Sequence, residues 1–344
     1  MCSSDLAVDD GVADDLHKAL KTLETVRVHV VGDTIVDGYS DCTLLGAAAK
    51  IPAFSVKLEQ TERYTGGAGI VARHLRSAGA QVAFSTVLGE DELKDFALKE
   101  LTTSGVVCRP VIDRTRPTTY KERFATSGQK LLQVDRVDNR PISERVLRTL
   151  CDSLHTVPAD VVIMSDFRHG IFNRDSIGRL VGEIPGGALR VADSQVSNRW
   201  GNILEFTDFD LLTPNEREAR FALGDQDTIV RPLALRLFQQ ARCRHLILKL
   251  GERGTLTYRH PGPEPRDFFT LDTFVDHLID PIGAGDALLA YASLALVATG
   301  NIVVASILGS IAAAVACQRN GNLPVSPQEV SEKVDALERR ATFS

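Results

Sequence analysis

Apolar and polar positions follow two periods that take turns along the chain. Short apolar runs at 26–31 (VRVHVV), 82–88 (VAFSTVL), 161–165 (VVIMS), 189–192, 209–213 and 245–250 (HLILKL) read as buried strands. Between them, apolar residues recur at helical spacing over 70–78, 92–102, 144–154 and 233–241. Strands spaced by amphipathic helices pair in parallel, with helices on both faces of the sheet. The predicted fold class is α/β, built on a mostly parallel central sheet. Ligands in such sheets sit beyond the carboxyl ends of the strands, so chemistry is expected in the loops that leave them.

Two segments break this rhythm. Residues 51–57 and 118–135 alternate polar with apolar, as antiparallel strands with one wet face do, and the second turns near Ser127-Gly128. A small β sheet of this kind, with lid strands at about 44–60 and 117–137, can close over a ligand and exclude water. It also fits a decorative hairpin or a dimer surface, since an apolar face outside the core wants a partner. A homodimer through the lid is the expected assembly.

Between Asp286 and Arg319 the sequence contains no charged residue. A membrane helix needs ~20 apolar residues, but Gly300-Asn301 divides the run into two shorter pieces diluted by Ala, Ser and Thr. Two buried helices, and no membrane span, are expected. The chain has 344 residues, 44% of them hydrophobic, enough for a large core. A net charge of −6 argues against a nucleic-acid binder, which needs a basic face. Six cysteines without a C-x-x-C pair fit reduced thiols and a cytoplasmic location. Residues 1–22 read as an acidic tail leading into a short helix, and 23–344 as one domain.

The most informative chemistry opens the uncharged stretch, at Asp280-Pro281-Ile282-Gly283-Ala284-Gly285-Asp286. A Gly-Ala-Gly turn feeding a helix leaves backbone N–H groups unpaired and lets a phosphate approach them. Asp286 at the edge of that anion site is placed to take a proton from a hydroxyl attacking a phosphoryl group. The segment alone fits equally a glycine cap followed by a helix-capping Asp. No strand is followed by G-x-G-x-x-G and no G-x-x-x-x-G-K-[ST] loop occurs, which removes support for dinucleotide binding and for a Walker-type ATPase.

Other motifs join it in a fixed order. Gly66-Gly67 before a helix, Asn215-x-x-Glu218, Lys249-x-Gly251-x-x-Gly254 and Gly283-Ala284-Gly285-Asp286 together resemble the ribokinase-like, or PfkB, family of carbohydrate kinases, over roughly residues 26–335. Within that family the chain is most similar to bacterial D-glycero-β-D-manno-heptose-7-phosphate kinases. The likeness lies in Thr118-x-x-Lys121-x-Arg123 with Gln129 and Asp135, in Ser165-Asp166 before Gly170, and in Leu212-Thr213-Pro214-Asn215. The resemblance implies a three-layer sandwich with a small antiparallel β lid, and ATP and Mg²⁺ as donor and metal. A nucleotidyltransferase domain often follows such kinases; here only the kinase reaction is expected.

The resemblance also implies roles. Asp286 is the expected general base, and the N–H groups of Gly283, Ala284, Gly285 and Asp286 hold the migrating phosphoryl charge. Asn215 and Glu218 organise Mg²⁺, although the segment NERE suits helix capping equally well. Lys249, Gly251 and Gly254 line the ATP pocket, with Asn215; on its own the segment is a tight hairpin. Asp33 and Asp37 receive sugar hydroxyls, or cap a turn, and Gly66 and Gly67 let backbone approach the sugar. Lys121 and Arg123, on one face of a lid strand, suit a phosphate already on the acceptor, or a solvated edge. Arg168 and Asp193 complete the acceptor site.

Three positions depart from the family pattern: Ile70 stands where many members carry a sugar-binding Asn, Gln195 where the heptose kinases tend to have Lys, and Pro281 where Thr is usual. A heptose 7-phosphate or similar sugar phosphate is the expected acceptor. An unphosphorylated sugar or nucleoside, or a sugar-phosphate-binding regulatory protein that has lost turnover, are the alternatives.

Overall fold

A computed structural model describes residues 10–47, 53–196, 202–259 and 267–342. In chain order the strands are β1 (Arg27–Gly32), β2 (Thr34–Ala47), β3 (Phe54–Gly67), β4 (Gln81–Leu88), β5 (Val107–Ile112), β6 (Thr119–Thr126), β7 (Gln129–Arg136), β8 (Val161–Asp166), β9 (Leu189–Ser194), β10 (Leu211–Leu212), β11 (His245–Lys249), β12 (Thr255–Tyr258) and β13 (Phe268–Leu271). The α-helices are α1 (Asp10–Thr22), α2 (Ala68–Ser77), α3 (Glu92–Thr103), α4 (Glu144–Thr156), α5 (Arg174–Gly182), α6 (Glu216–Leu223), α7 (Val230–Ala241), α8 (Ala284–Thr299), α9 (Ile302–Ala316) and α10 (Pro327–Thr342).

The main sheet runs in the order β13-β12-β11-β10-β9-β8-β1-β4-β5. It is parallel from β5 to β11 and antiparallel at β11-β12-β13. Alternation along its strands sends side chains to two separate cores. Val28, Ile163, Val191 and Ile247 pack with α2, α8 and α9, while Val31, Val162, Met164 and Leu248 pack with α4, α5 and α7. The result is the expected three-layer ribokinase-like sandwich.

The uncharged stretch forms α8 and α9, buried almost all round and separated by Gly300 and by Asn301, whose side chain accepts from Val303 N at 2.9 Å. Among the described residues no helix is long and apolar enough to cross a membrane. Toward the N-terminus the short helix expected after the acidic tail is present. From Asp10 the chain is helical, Leu16, Ala19 and Leu20 are buried in the core, and His17 Nε2 reaches Asp335 on α10 at 2.9 Å. Residues 1–9 lie outside the described residues.

The lid is a four-stranded sheet, β3-β2-β6-β7. Its two hairpins are antiparallel, β6-β7 turning at Ser127 and Gly128 (φ 48° and 80°) as expected, while β2 and β6 pair in parallel. The strand expected at 51–57 has its first two positions outside the described residues; what is seen is the longer β3, paired along its length with β2. The strand expected over 209–213 shrinks to Leu211–Leu212. Large apolar side chains stay exposed on the lid, including Phe54, Leu58, Leu132 and Val134.

Candidate active site

The carboxyl ends of β9, β10 and β11 and the N-terminus of α8 meet beneath the lid. They bound a cleft of about 800 Å³ that runs from Lys121 and Asp37 past Asp286 to Lys249 and Gly254. At its centre, Gly283 caps α8 with φ 82°, a left-handed conformation that a side chain strains. The first N–H groups of a helix have no partner within it, an arrangement that can receive an anion; here Ala284 N turns back to Pro281 O at 3.3 Å. Asp286, in the first turn, is 9% exposed. Burial pushes its carboxyl up to about 8; Asp193 adds to the rise, Lys249 opposes it, and Asp37 and Glu218 raise it further. A carboxylate with a proton affinity near working pH is suited to general base catalysis.

Lys249 ends β11, and its ammonium donates to Asp193 Oδ1 at 2.9 Å. Thr213 Oγ1 donates to the same oxygen at 3.0 Å. A Cβ built on Gly285 would lie 3.2 Å from Lys249 Nζ, so the ammonium rests against the first turn of α8. Burial works against this charge, but Asp193 and Glu218 hold the ammonium above its ordinary range. The structure therefore places Asp193 with Lys249 at the strand ends rather than with Asp37 on the lid side. Gly251 and Gly254 line the same end of the cleft, in the turn between β11 and β12.

Asn215 and Glu218 start α6, directly after β10. They form a complete capping box: Asn215 N and Nδ2 donate to Glu218 at 2.7 and 2.6 Å, and Glu218 N donates to Asn215 Oδ1 at 2.8 Å. Glu218 is also buried on the cleft wall, where burial lifts its carboxyl to about 7 against the pull of Lys249. Capping and a cleft-facing carboxylate thus coexist in one motif. Among the described residues no cluster of three or more metal-ligating side chains forms.

On the lid side, Asp37 of β2 accepts from Arg123 Nη1 at 2.6 Å and from Asn322 Nδ2 at 2.8 Å. Gly66 is required by this approach, since a Cβ there would lie 1.9 Å from Asp37 Oδ2; Gly67 follows it at the entry to α2. Lys121 and Arg123 both line the cleft, as their spacing predicts. Arg123 is committed to Asp37, whereas Lys121 faces Asp37 and Asp135 across its strand neighbours. Burial lowers the proton affinity of the Lys121 ammonium, and those carboxylates restore part of it.

Two expected acceptor residues have other work. Asp33 accepts from Phe167 N at 3.0 Å and His169 N at 3.2 Å, and burial raises its carboxyl to about 6. It braces the loop after β8. Arg168 sits in that loop with φ 61°, its guanidinium held by Asp166 at 2.8 Å and Glu205 at 3.1 Å, away from the cleft lining. A cation near a strand end was legible; its buried partners were not. The converse omission is Asn322, which lines the cleft between Asp37 and Gly283. Its only mark in the sequence is an Asn-Gly-Asn turn after α9.

Comparison with known proteins identifies the family. The family model described as "pfkB family carbohydrate kinase" matches residues 27–165 and 191–329. Curated relatives include the bifunctional protein HldE of Pelobacter propionicus, 28% identical over 324 residues, which cover 91% of this chain and 64% of that protein. HldE of Helicobacter hepaticus is 27% identical over 317 residues, 90% of this chain and 64% of that protein. The chain thus spans less than two thirds of the length of these relatives. Among solved structures, Escherichia coli phosphofructokinase-2 in complex with fructose-6-phosphate matches with a TM-score of 0.74 at 15% identity, over 91% of this chain and 99% of that one. Arabidopsis thaliana ribokinase complexed with ribose and ATP matches with a TM-score of 0.69 at 19% identity, over 90% and 99%. These structural likenesses speak to the fold, and the family match covers most of the chain. The chain belongs to the pfkB family of carbohydrate kinases.

Proposed function

We propose that this kinase transfers the γ-phosphoryl group of ATP to a hydroxyl of a phosphorylated sugar, with the anomeric hydroxyl of a heptose 7-phosphate as the first candidate. The observation that carries the reading is the position of Asp286, buried in the first turn of α8 with Lys249 on one side and the lid cation Lys121 further along the same cleft. Asp286 takes the proton of the accepting hydroxyl, whose oxygen attacks phosphorus in line as the bond to the β-phosphate oxygen breaks and ADP leaves. The N–H groups of Gly283, Gly285 and Asp286 receive the charge of the migrating group, while Ala284 N donates to Pro281 O at 3.3 Å.

Lys121 supplies the cation for a phosphate already on the sugar, and the sequence resemblance to heptose kinases points the same way. A sugar phosphate is also what the phosphofructokinase-2 neighbour was solved with. Mg²⁺ commonly uses one or two carboxylates, keeps several waters and takes its other ligands from substrate phosphates. Glu218 fits that donor set, since each of its oxygens keeps a lone pair beyond its bond to Asn215. Asn215 and Glu218 would hold the ion, which when bound neutralises phosphate charge. The exposed apolar side chains of the lid support a homodimer through that sheet, and a monomeric mass in solution would remove this element. A cytoplasmic site of action accords with free Cys42, Cys108, Cys151, Cys243 and Cys317.

The test is ADP release from Mg-ATP across sugars and sugar phosphates, heptose 7-phosphates included, with Asp286→Asn as control. Turnover on a phosphorylated heptose that disappears in the variant supports the reading. Turnover on neutral sugars alone removes the acceptor phosphate, and binding of nucleotide without turnover replaces the kinase with a binding protein.

A further inference from the structure

Asn322 links the two halves of the cleft, and half of its amide is unused. The side chain is 4% exposed. Its Nδ2 donates to Asp37 Oδ2 at 2.8 Å, which sets the amide orientation, because the flipped amide would put two oxygens together. Oδ1 then faces the phosphoryl turn, where a Cβ on Gly283 would come within 2.9 Å of it. Among the described residues no hydrogen-bond partner reaches this buried oxygen, and such an atom is costly to leave unpaired.

The chemistry of the missing partner is constrained. An amide oxygen only accepts, and so do phosphate oxygens when ionised, so a nucleotide phosphate does not satisfy it. Asp37 presents the same demand beside it. Its Oδ1 accepts from Arg123 and its Oδ2 from Asn322, which leaves one lone pair on each oxygen. Two adjacent acceptors pointing into a cleft match two adjacent hydroxyl donors.

We propose that Asn322 is an acceptor-reading residue of this kinase, its Oδ1 taking a hydrogen bond from one hydroxyl of a sugar vicinal diol while Asp37, held by its Nδ2, takes the other. This rests on the reading of the lid end of the cleft as the sugar site. The diol lies beside the hydroxyl that Asp286 deprotonates, so Asn322 contributes to which sugar is phosphorylated as well as how tightly it binds. A site that hydrogen-bonds a hydroxyl discriminates strongly against the analogue that lacks it.

The test compares wild type with Asn322→Ala on the best acceptor from the panel and on its deoxy analogues, each lacking one hydroxyl. The variant is expected to lose about tenfold to a hundredfold in kcat/KM on the full acceptor, with KM for ATP within about twofold of wild type. On the analogue missing the hydroxyl read by Asn322, both proteins are expected to perform alike. Equal losses on every acceptor, or a matching rise in KM for ATP, would make Asn322 a brace for Asp37 and overturn the proposal. Asn322→Ser, which keeps an oxygen acceptor, separates these outcomes from misfolding when ADP binding is unchanged. Absence of turnover by wild type on all sugars would reject the sugar-site reading itself, and the role of Asn322 with it.

Discussion

Replacing Lys249 by Met removes the only ion-pair partner that Asp193 has among the described residues, with little change in side-chain length. The ammonium has three donors and gives one to Asp193 at 2.9 Å. The same Nζ rests against the first turn of α8, where a Cβ on Gly285 would lie 3.2 Å from it. Removing one donor from a site that stabilises developing negative charge costs about 2.7–4 kcal/mol, or 10²–10³ in kcat. A full charge on a side chain that is itself largely buried places the expected loss toward the upper end. A second effect acts through Asp286. Lys249 holds that carboxyl down against burial, so its loss moves the carboxyl above about 8. The base form is needed for activity, so the acid limb of the rate profile moves to higher pH.

The assay is steady-state ADP release over a pH series, paired with affinities for ADP and for a non-hydrolysable ATP analogue. The Met variant should weaken the ATP analogue more than ADP, because only the former carries the γ-phosphate proposed to lie against α8. Lys249→Arg keeps the charge with a different shape and should recover part of kcat. A Met variant that binds ADP normally and keeps kcat within about threefold of wild type would refute the assignment. So would equal weakening of ADP and the ATP analogue, which would make Lys249 a brace for the pocket wall.

Other perturbations follow from the same geometry. With Asp286 near 8, kcat/KM in the wild type should fall about tenfold per pH unit below that value, as the base is protonated; a flat profile from pH 6 to 8 would exclude it as the base. Asp286→Asn should lower kcat by about 10²–10⁴ with ADP binding retained, as checked by calorimetry. Gly66→Ala puts a methyl group 1.9 Å from Asp37 Oδ2, so Asp37 must move. The acceptor KM should rise about tenfold while KM for ATP stays unchanged in the same ADP-release assay. Lys121→Met should raise KM for a sugar phosphate far more than for the matching neutral sugar; equal effects on both would remove the acceptor phosphate from the lid.

Burial leaves a local mark in sequence, and that is why the frame was legible. The uncharged stretch becomes α8 and α9, and the run VVIMS becomes a strand whose residues feed both cores. The lid strand β2 left no such mark: it carries Gly38 and Gly46, bends through register shifts, and has buried and exposed positions without a clean alternation. In β10 the regular ladder is interrupted at Pro214, which has no N–H to give, and pairing resumes in a single bridge between Asn215 and Lys249.

Charged residues are harder still, because their work depends on which opposite charge the fold delivers. Lys121 and Arg123 look equivalent in sequence, yet Arg123 is paired with Asp37, 86 positions away, and Arg168 with Glu205, 37 away. Asn322 meets Asp37 across 285 positions, a contact that no local pattern encodes. These pairings make the cleft a competition rather than a set of independent hooks. A phosphate on the acceptor would meet Lys121 directly, and would either share Arg123, which gives one of its five N–H groups to Asp37, or draw the guanidinium away from Asp37. Such a withdrawal frees a lone pair of Asp37 for a sugar hydroxyl. Recognition of the phosphate and of the diol would then strengthen each other, so in a double-mutant cycle the effects of Arg123→Met and Gly66→Ala on the acceptor KM should not add.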